Sequence, residues 1–224
     1  MKYTCKYCNQ SFTKENTLMV HMCIPKKRHL EQNETGVRFG LAAYLQFFEM
    51  TQGSAKKKTF EDFAKSPYYS AFVKFGWYCV QTRVIAVPHF TAWLLKNNKK
   101  LDRWCSDKLY EEFLIQYLRT ENVMDALDRA LEYGTQWEEE TGKPAKDCIR
   151  YGSHMRTTDY ITRGKISPWV LYNCESGQQF LEDISKEQQE IIWPYIDPAV
   201  WMKKLHDYAA DREIAQAVLK EVGW

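Results

Sequence analysis

Three of the chain's seven cysteines lie within the first 23 residues, and the first two form the pair Cys5-x2-Cys8. The other four cysteines are scattered along the rest of the chain. In a reducing compartment, thiols clustered in this way favour metal coordination over disulfides. A segment of ~30 residues cannot bury enough apolar surface to fold alone, so coordination would supply its folding energy. The opening segment is therefore predicted to fold around a metal ion.

The residues around this pair follow a recognisable spacing. Aromatic, apolar and histidine side chains accompany the two cysteines in the order Tyr3, Cys5, Cys8, Phe12, Leu18 and His21. This pattern resembles the first part of a two-Cys two-His zinc finger, and the resemblance covers residues 3–29. It implies two short strands and a helix, with zinc bound by Cys5, Cys8 and His21. It also implies that Tyr3 and Phe12 cover the metal from the hairpin side.

The fourth ligand departs from the family pattern, which expects His or Cys roughly three to five residues beyond His21. The sequence offers Cys23 and His29 instead. Residues two apart on a helix point about 200° away from each other, so Cys23 binds only if the helix breaks just after His21. Pro25 favours such a break because it disfavours helical backbone at the preceding residue. We therefore predict Cys23 as the fourth ligand, with His29 as the alternative.

Positive charge is concentrated at the N-terminal end. Residues 1–29 contain six basic residues and one acidic residue, a formal charge of +5, which leaves −3 for residues 30–224. The zinc-finger resemblance implies that the helix addresses bases through Lys14, Asn16, Thr17 and Val20, and Lys and Asn suit guanine and adenine edges. One finger reads too few bases to locate a site alone. We expect it to act with the run Lys26-Lys27-Arg28 mainly as a phosphate-binding arm for DNA or RNA.

Beyond residue 29 the chain is predicted to be all-α. Its 45% hydrophobic and 27% charged residues are typical of a globular protein. Apolar residues recur at helical spacing, and Gly36 and Gly40 would allow one helix to pack closely on a neighbour. Capping residues mark about nine or ten helix starts, among them Thr59, Ser167, Ser185 and Asp197. We predict a small ββα finger at residues 1–29 and a multi-helix domain at residues 30–224.

The segment from Arg150 to Trp169 is polar and is predicted to be irregular. Its basic residues alternate with aromatic residues, and those singled out are Arg150, Arg156, Arg163 and Lys165. Cations between aromatic rings suit single-stranded nucleic acid, because backbone charge and base stacking are met together. The segment is therefore a second predicted nucleic-acid contact. It would instead serve a metal-dependent nuclease if His154 were the base and Asp159 and Asp147 were metal ligands.

The sequence also indicates where the protein acts. No apolar stretch approaches the ~20 residues that cross a bilayer, and the opening residues lack the apolar region of a secretory signal. We expect a cytoplasmic protein without a membrane partner. The finger, the run Lys26-Lys27-Arg28 and the terminal Gly223-Trp224 make the chain similar to uncharacterised zinc-finger proteins of large tailed bacteriophages. That similarity implies the cytoplasm of a bacterial host.

The common catalytic motifs are missing from the sequence. It contains no Walker loop, no H-E-x2-H, no G-x-S-x-G and no G-x-G-x2-G. We therefore predict a zinc-dependent nucleic-acid-binding protein that is not an enzyme. The alternatives are an adaptor that binds a protein of the replication or transcription machinery, and the metal-dependent nuclease.

Overall fold

A computed structural model describes residues 2–53 and 57–224. The chain divides into two compact units, one ending at Leu109 and the other comprising Tyr110–Trp224. The described residues form fourteen α-helices and one two-stranded sheet, which confirms the predicted all-α class with a small ββα region at the N-terminal end. None of these helices is both long and apolar enough to cross a membrane. The predicted domain boundary at residue 29 stays a prediction.

Residues 2–30 fold as a hairpin and two short helices. Strands β1 (Tyr3–Thr4) and β2 (Ser11–Phe12) are antiparallel, with Tyr3 opposite Phe12. Helix α1 (Glu15–Val20) ends at His21, which has extended backbone, and α2 (Ile24–Leu30) begins after Cys23, with Pro25 in its first turn. A break between α1 and Cys23 is therefore confirmed, but the predicted cause is wrong, because Pro25 does not exclude Ile24 from a helix and Ile24 begins α2. We call residues 2–30 the finger.

The rest of the first unit is a layer of helices around an aromatic core. Its helices are α3 (Thr35–Gln52), α4 (Phe60–Lys65), α5 (Tyr69–Thr82) and α6 (Val87–Lys96). Thr59 begins α4 as predicted, because its hydroxyl accepts from the Asp62 N–H while the Asp62 carboxylate accepts from the Thr59 N–H. The core side chains are fully buried, and the largest are Phe63, Phe72, Phe75, Phe90 and Trp104.

Glycines allow α3 and α5 to approach each other at backbone distance. A Cβ atom at Gly40 would lie 2.7 Å from the Phe72 carbonyl oxygen, and one at Gly76 would collide with the Gly36 carbonyl oxygen. Only glycine avoids these overlaps without moving the backbone. The predicted close packing at Gly36 and Gly40 is confirmed, and Gly76 is its partner on the facing helix.

The second unit consists of helices with short connections. They are α7 (Asp107–Thr120), which starts just before the division, α8 (Val123–Thr141), α9 (His154–Thr162), α10 (Pro168–Leu171), α11 (Glu175–Asp183), α12 (Lys186–Ile196), α13 (Pro198–Asp207) and α14 (Ala209–Glu221). Ser167, Ser185 and Asp197 cap helix starts, as predicted. Trp169 and Trp201 lie in the core.

Two helices of the second unit were not expected from the sequence. Helix α9 lies inside the segment predicted to be irregular, and its inner face carries Thr157 and Thr158, which are buried although polar. Helix α11 is capped by the Cys174 thiol, which accepts from the Gly177 N–H at 3.3 Å. Neither a threonine face nor a thiol cap is a usual helix signal. The described part of residues 30–224 therefore has twelve α-helices, against the nine or ten predicted.

A group of charged side chains is enclosed in the second unit. One oxygen of the buried Glu121 carboxylate contacts the Arg129 guanidinium, and the other accepts from the Ser167 hydroxyl at 2.6 Å. The Lys204 ammonium lies 4.8 and 4.7 Å from the ring centres of Trp169 and Trp201. The free-energy cost of burying these charges is offset by their pairing and hydrogen bonds.

Candidate metal centre

Four side chains of the finger converge on one point. Cys5 and Cys8 come from the hairpin, His21 from the end of α1, and Cys23 from the start of α2. One donor atom from each lies within 4.8 Å of all the others, and among the described residues no other group of three or more His, Cys, Asp or Glu side chains is arranged for a metal ion. The structure therefore brings together the four predicted ligands.

The separations within this cluster fit tetrahedral zinc. With Zn–S bonds of ~2.3 Å and Zn–N bonds of ~2.0 Å, tetrahedral geometry places neighbouring donors roughly 3.5–3.8 Å apart. The Sγ atoms of Cys5 and Cys23 are 3.9 Å apart, and Cys8 Sγ lies 3.3 Å from His21 Nε2. Three thiols and one imidazole are also the donors that zinc prefers. The donor set and its dimensions thus both fit the ion.

The backbone of the hairpin positions the first cysteine, Cys5, and supplies N–H donors to its thiol. Asn9 adopts a left-handed conformation, which lets the chain turn tightly so that the Cys5 N–H donates to the Gln10 carbonyl at 2.9 Å. Burial acts to raise the pKa of Cys5, but N–H donors from Tyr7 and Cys8 and the neighbouring thiols outweigh it and lower that pKa. Donors of this kind favour a thiolate, which is the form that binds metal.

The second cysteine of the hairpin experiences the opposite balance. The Gln10 N–H acts to lower the pKa of Cys8, but burial and the adjacent Cys23 and Cys5 thiols raise it above its usual value. Three sulfur atoms this close repel one another when ionised. A divalent cation removes that repulsion, so metal binding and thiol ionisation support each other.

The alternative ligand, His29, lies elsewhere. Its ring packs between Tyr7, at 5.1 Å between centroids, and Phe60 of α4, at 6.1 Å. Phe12 instead packs on the ring of His21, at 4.7 Å, as expected for an aromatic residue that covers the metal from the hairpin. The cluster therefore includes Cys23 and leaves His29 as a packing residue.

The basic run that follows the cluster has structural roles that the sequence did not reveal. The Lys26 ammonium donates to the His21 carbonyl at 2.9 Å and so closes the end of α1. The Arg28 guanidinium donates to the Ala64 carbonyl at 2.6 Å and lies 4.2 Å from the centre of the Tyr69 ring. Lys27 is exposed and lies 3.7 Å from Glu31. Arg28 therefore fixes the finger to α4 and α5, and spacing along the sequence gives no signal of such a long-range contact.

The predicted base-contacting residues face solvent. Lys14 precedes α1 in extended backbone, and Lys14, Asn16 and Thr17 are all exposed. The same part of the finger also exposes large apolar side chains, with Met19 70%, Val20 80%, Met22 57% and Ile24 67% accessible to solvent. The finger surface is thus both basic and apolar.

The predicted contacts of the second unit are already engaged with their own unit. The guanidinium groups of the three arginines predicted to bind nucleic acid pair with carboxylates, at 3.1 Å for Arg150–Glu175, 2.6 Å for Arg156–Glu140 and 2.9 Å for Arg163–Asp159. The Arg156 guanidinium and the Lys165 ammonium lie 5.4 and 5.0 Å from the centre of the Tyr160 ring. Cations and an aromatic ring do meet on α9, as the sequence predicted, although phosphate would compete there with carboxylates.

Comparisons of the chain with protein-family models, with curated proteins and with solved structures give no match. The Cys5–Cys8–His21–Cys23 cluster itself is therefore the candidate functional site. It is a site that can hold a metal ion, and its donors suit zinc.

Proposed function

We propose that this chain is a non-catalytic, zinc-dependent nucleic-acid-binding protein whose finger contacts phosphates. The observation that supports the proposal most is the position of Lys14, Asn16 and Thr17. Lys14 is exposed just before α1, Asn16 and Thr17 are exposed on it, and this short helix leads directly to His21 of the metal cluster. Folding around zinc would hold this polar, cationic helix start in one orientation, ready for a polyanion.

The structure refines which cations would make the contacts. Lys26 and Arg28 donate to backbone carbonyls, so Lys14 and Lys27 are the finger residues that we expect to contribute most to phosphate binding. Helix α1 has only six residues. A helix this short presents few side chains to base edges, so we expect phosphate contacts to dominate and sequence preference to be weak.

Arg150, Arg156 and Arg163 would join contacts to exposed bases if phosphate displaced their carboxylate partners, and Lys165 would add a contact beside the Tyr160 ring. The setting that we propose for such an interaction is the cytoplasm of a bacterial host, and it rests on the sequence resemblance alone.

The test is binding of random-sequence oligonucleotides as a function of salt concentration. Fluorescence anisotropy with single-stranded DNA, duplex DNA and RNA should show affinity that falls steeply as salt rises, by roughly 0.7–0.9 log units per log unit of salt for each phosphate contacted. Lys14→Gln and Lys27→Gln should each reduce that slope by about one. Lys220→Gln, which removes an exposed lysine of α14, is the matched control and should leave the slope unchanged.

The proposal fails if no oligonucleotide is retained at ~50 mM salt, where electrostatic binding is strong. It also fails if Lys220→Gln weakens binding as much as Lys14→Gln does, because the effect would then reflect net charge alone.

The second candidate is the protein-binding adaptor, and the exposed apolar surface of the finger favours it. Met19, Val20, Met22 and Ile24 are large side chains that a finger devoted to phosphate would not need to expose. In this case the partner would be a protein of the replication or transcription machinery. Val20→Asp should then abolish capture of that protein while leaving oligonucleotide affinity unchanged, whereas nucleic-acid binding predicts that Lys14→Gln has the larger effect.

A further inference from the structure

A cavity opens in the first unit between α3, α4 and the turn that leads into α5. Its volume is about 230 Å³, and we call it the α4 cavity. The residues that line it and bear on its chemistry are Tyr44, Phe48, Lys58, Asp62, Lys65, Ser66 and Tyr68. None of them belongs to the finger or to the metal cluster.

Aromatic side chains form the walls of this cavity. Tyr44 and Phe48 lie on successive turns of α3, with ring centroids 4.6 Å apart. Tyr68 is 55% exposed, although a tyrosine ring at a helix start can usually pack on its neighbours. The Ser66 hydroxyl accepts from the Tyr68 N–H at 3.1 Å, which holds the turn that presents this ring. The cavity thus offers exposed ring surface on which a planar ligand can stack.

Two lysines give the α4 cavity its charge. The Lys58 ammonium lies 4.9 Å from the centre of the Phe48 ring, and Lys65 is exposed at the end of α4. Within the described residues, neither ammonium has a carboxylate within 4.0 Å. The one acidic residue that lines the cavity, Asp62, accepts at 2.9 Å from the Thr59 N–H at the start of α4. The balance of charge therefore favours an anion.

We propose that the α4 cavity binds an aromatic ring that carries a phosphate group, in the form of a nucleoside monophosphate or the phosphorylated end of a nucleic-acid strand. The ring would stack against the exposed Tyr68, and the phosphate would be held by Lys65 and by Lys58, whose ammonium lies over Phe48. The volume is below the ~300 Å³ at which sites for larger ligands begin, so it suits one base and not a dinucleotide. This inference goes beyond the proposed function, because binding here requires no residue of the finger.

The test uses the intact protein and adenosine 5′-monophosphate. Binding is followed by isothermal titration calorimetry and by amide chemical shifts, with the nucleotide raised to about 5 mM so that weak affinity is detected. The shifts should be confined to residues 44–48, 58 and 65–69. Adenosine, which lacks the phosphate, and ribose 5-phosphate, which lacks the base, should each bind at least about tenfold more weakly, a loss of ~1.4 kcal/mol per missing group.

Substitutions then test the lining residues. The double variant Lys58→Gln/Lys65→Gln should weaken binding at least about tenfold, since it removes both charged partners of the phosphate. Lys57→Gln is the matched control, because Lys57 is an exposed neighbour that does not line the cavity, and it should bind like the unaltered protein. A 5′-phosphorylated single-stranded oligonucleotide that displaces the nucleotide identifies a strand end as the ligand, and failure to displace it identifies the free nucleotide.

Three results would overturn the inference. They are the absence of any shift at these residues, equal binding of ribose 5-phosphate and the nucleotide, and equal weakening by Lys57→Gln and the double variant. Because the nucleotide contains a single phosphate and the readout is local to the α4 cavity, these results are independent of whether the finger binds long nucleic acid.

Discussion

The finger and the helices that follow it lie in the same unit, yet different interactions hold them together. Within residues 2–35, Cys5 is the one residue that is buried. In contrast, α3 to α6 enclose fully buried aromatic residues such as Phe63, Phe72 and Trp104. Each large apolar side chain stabilises a fold by about 1.5–3 kcal/mol when it is buried. The helices can therefore fold by packing alone, whereas we expect the finger to depend on a metal ion held by its cluster and on its contacts with α4 and α5.

Removal of the metal should produce the largest difference between the finger and the helices. We expect a chelator to unfold the finger and to leave the helices folded, because structural zinc supplies about 10 kcal/mol or more of apparent folding free energy to small fingers. Hydrogen exchange should show that the amides of residues 5–23 lose protection while those of α3 and α5 keep it. Full protection of the finger in metal-free protein would show that the cluster is not what holds it.

Ligand substitutions sharpen the same test. Cys23→Ser should lower the zinc content of the purified protein, because it removes one of the four donors. His29→Ala should retain zinc, since His29 packs between Tyr7 and Phe60 and lies outside the cluster. The reverse pattern in elemental analysis would make His29 the ligand and contradict the geometry.

A substitution in the helical core should destabilise the helices and leave the zinc content unchanged. Gly76→Ala places a methyl group against the Gly36 carbonyl and 2.7 Å from the Gly40 nitrogen, where α3 and α5 cross. Such overpacking costs about 1–3 kcal/mol, although alanine is intrinsically the better helix former by ~1 kcal/mol. The overlap with the Gly36 carbonyl places the cost at the upper end of that range, so we expect urea unfolding to show a net loss of about 2 kcal/mol in the free energy of unfolding, with unchanged zinc content.

Ser70→Ala, at an exposed position of the same helix, is the control for Gly76→Ala and should change stability little. If Gly76→Ala is as stable as the unaltered protein, the crossing of α3 and α5 does not require glycine at position 76.

Loss of the contact between the finger and the helices α4 and α5 should lower stability less than removal of the metal or the substitution of Gly76. Arg28→Met removes the hydrogen bond to the Ala64 carbonyl and the cation that lies over Tyr69. We expect a loss of about 1–2 kcal/mol, seen as faster hydrogen exchange in α2, because a charged hydrogen bond and a cation–π contact are both lost. Lys27→Met removes an exposed ion pair and should cost less than about 0.5 kcal/mol. Equal effects of the two substitutions would show that Arg28 does not dock the finger.

The sequence predicts the finger better than its attachment, and the reason is the range of the interactions. Cys5, Cys8 and His21 are fixed by short spacings, so pattern was sufficient for them. The expected effect of Pro25 on Ile24 was wrong, because Ile24 is the first residue of α2 and Pro25 lies in the first turn of that helix. The docking of Arg28 on Ala64 depends on how α4 and α5 pack, which no local pattern records. The same limitation applies to the α4 cavity, whose lining residues come from three separate segments.

The helical regions show a second limit of sequence reasoning. The cap signals at Thr59, Ser167 and Ser185 predicted helix starts correctly because capping depends on adjacent residues. Helix α9 was missed because Thr157 and Thr158 occupy positions on its buried face where apolar residues are expected. Tertiary packing, which encloses these threonines, overrides the local polarity of the segment.

A buried charge of the second unit should make the stability of that unit depend on pH, and this is the smallest of the effects that we expect. Burial lowers the pKa of Lys204 to about 8, against the opposing influence of the Glu121 and Asp211 carboxylates. The pKa in the folded state is thus below that in the unfolded state, so the unfolded chain binds more protons between these two values. Stability should therefore rise with pH above about 8, as the folded protein is relieved of a buried ammonium.

The matched pair Lys204→Met and Lys203→Met isolates this contribution from other groups that titrate in the same range. Between about pH 7.5 and 9.5, the unaltered protein should gain about 1 kcal/mol relative to Lys204→Met, a value reduced from the full linkage because the ammonium is partly exposed. Lys203 is exposed, so Lys203→Met should follow the unaltered protein. Parallel stability curves for all three proteins would mean that Lys204 is not desolvated between the two tryptophans. The finger has no buried aromatic core of its own and contains neither lysine, so zinc content should be the same in both variants.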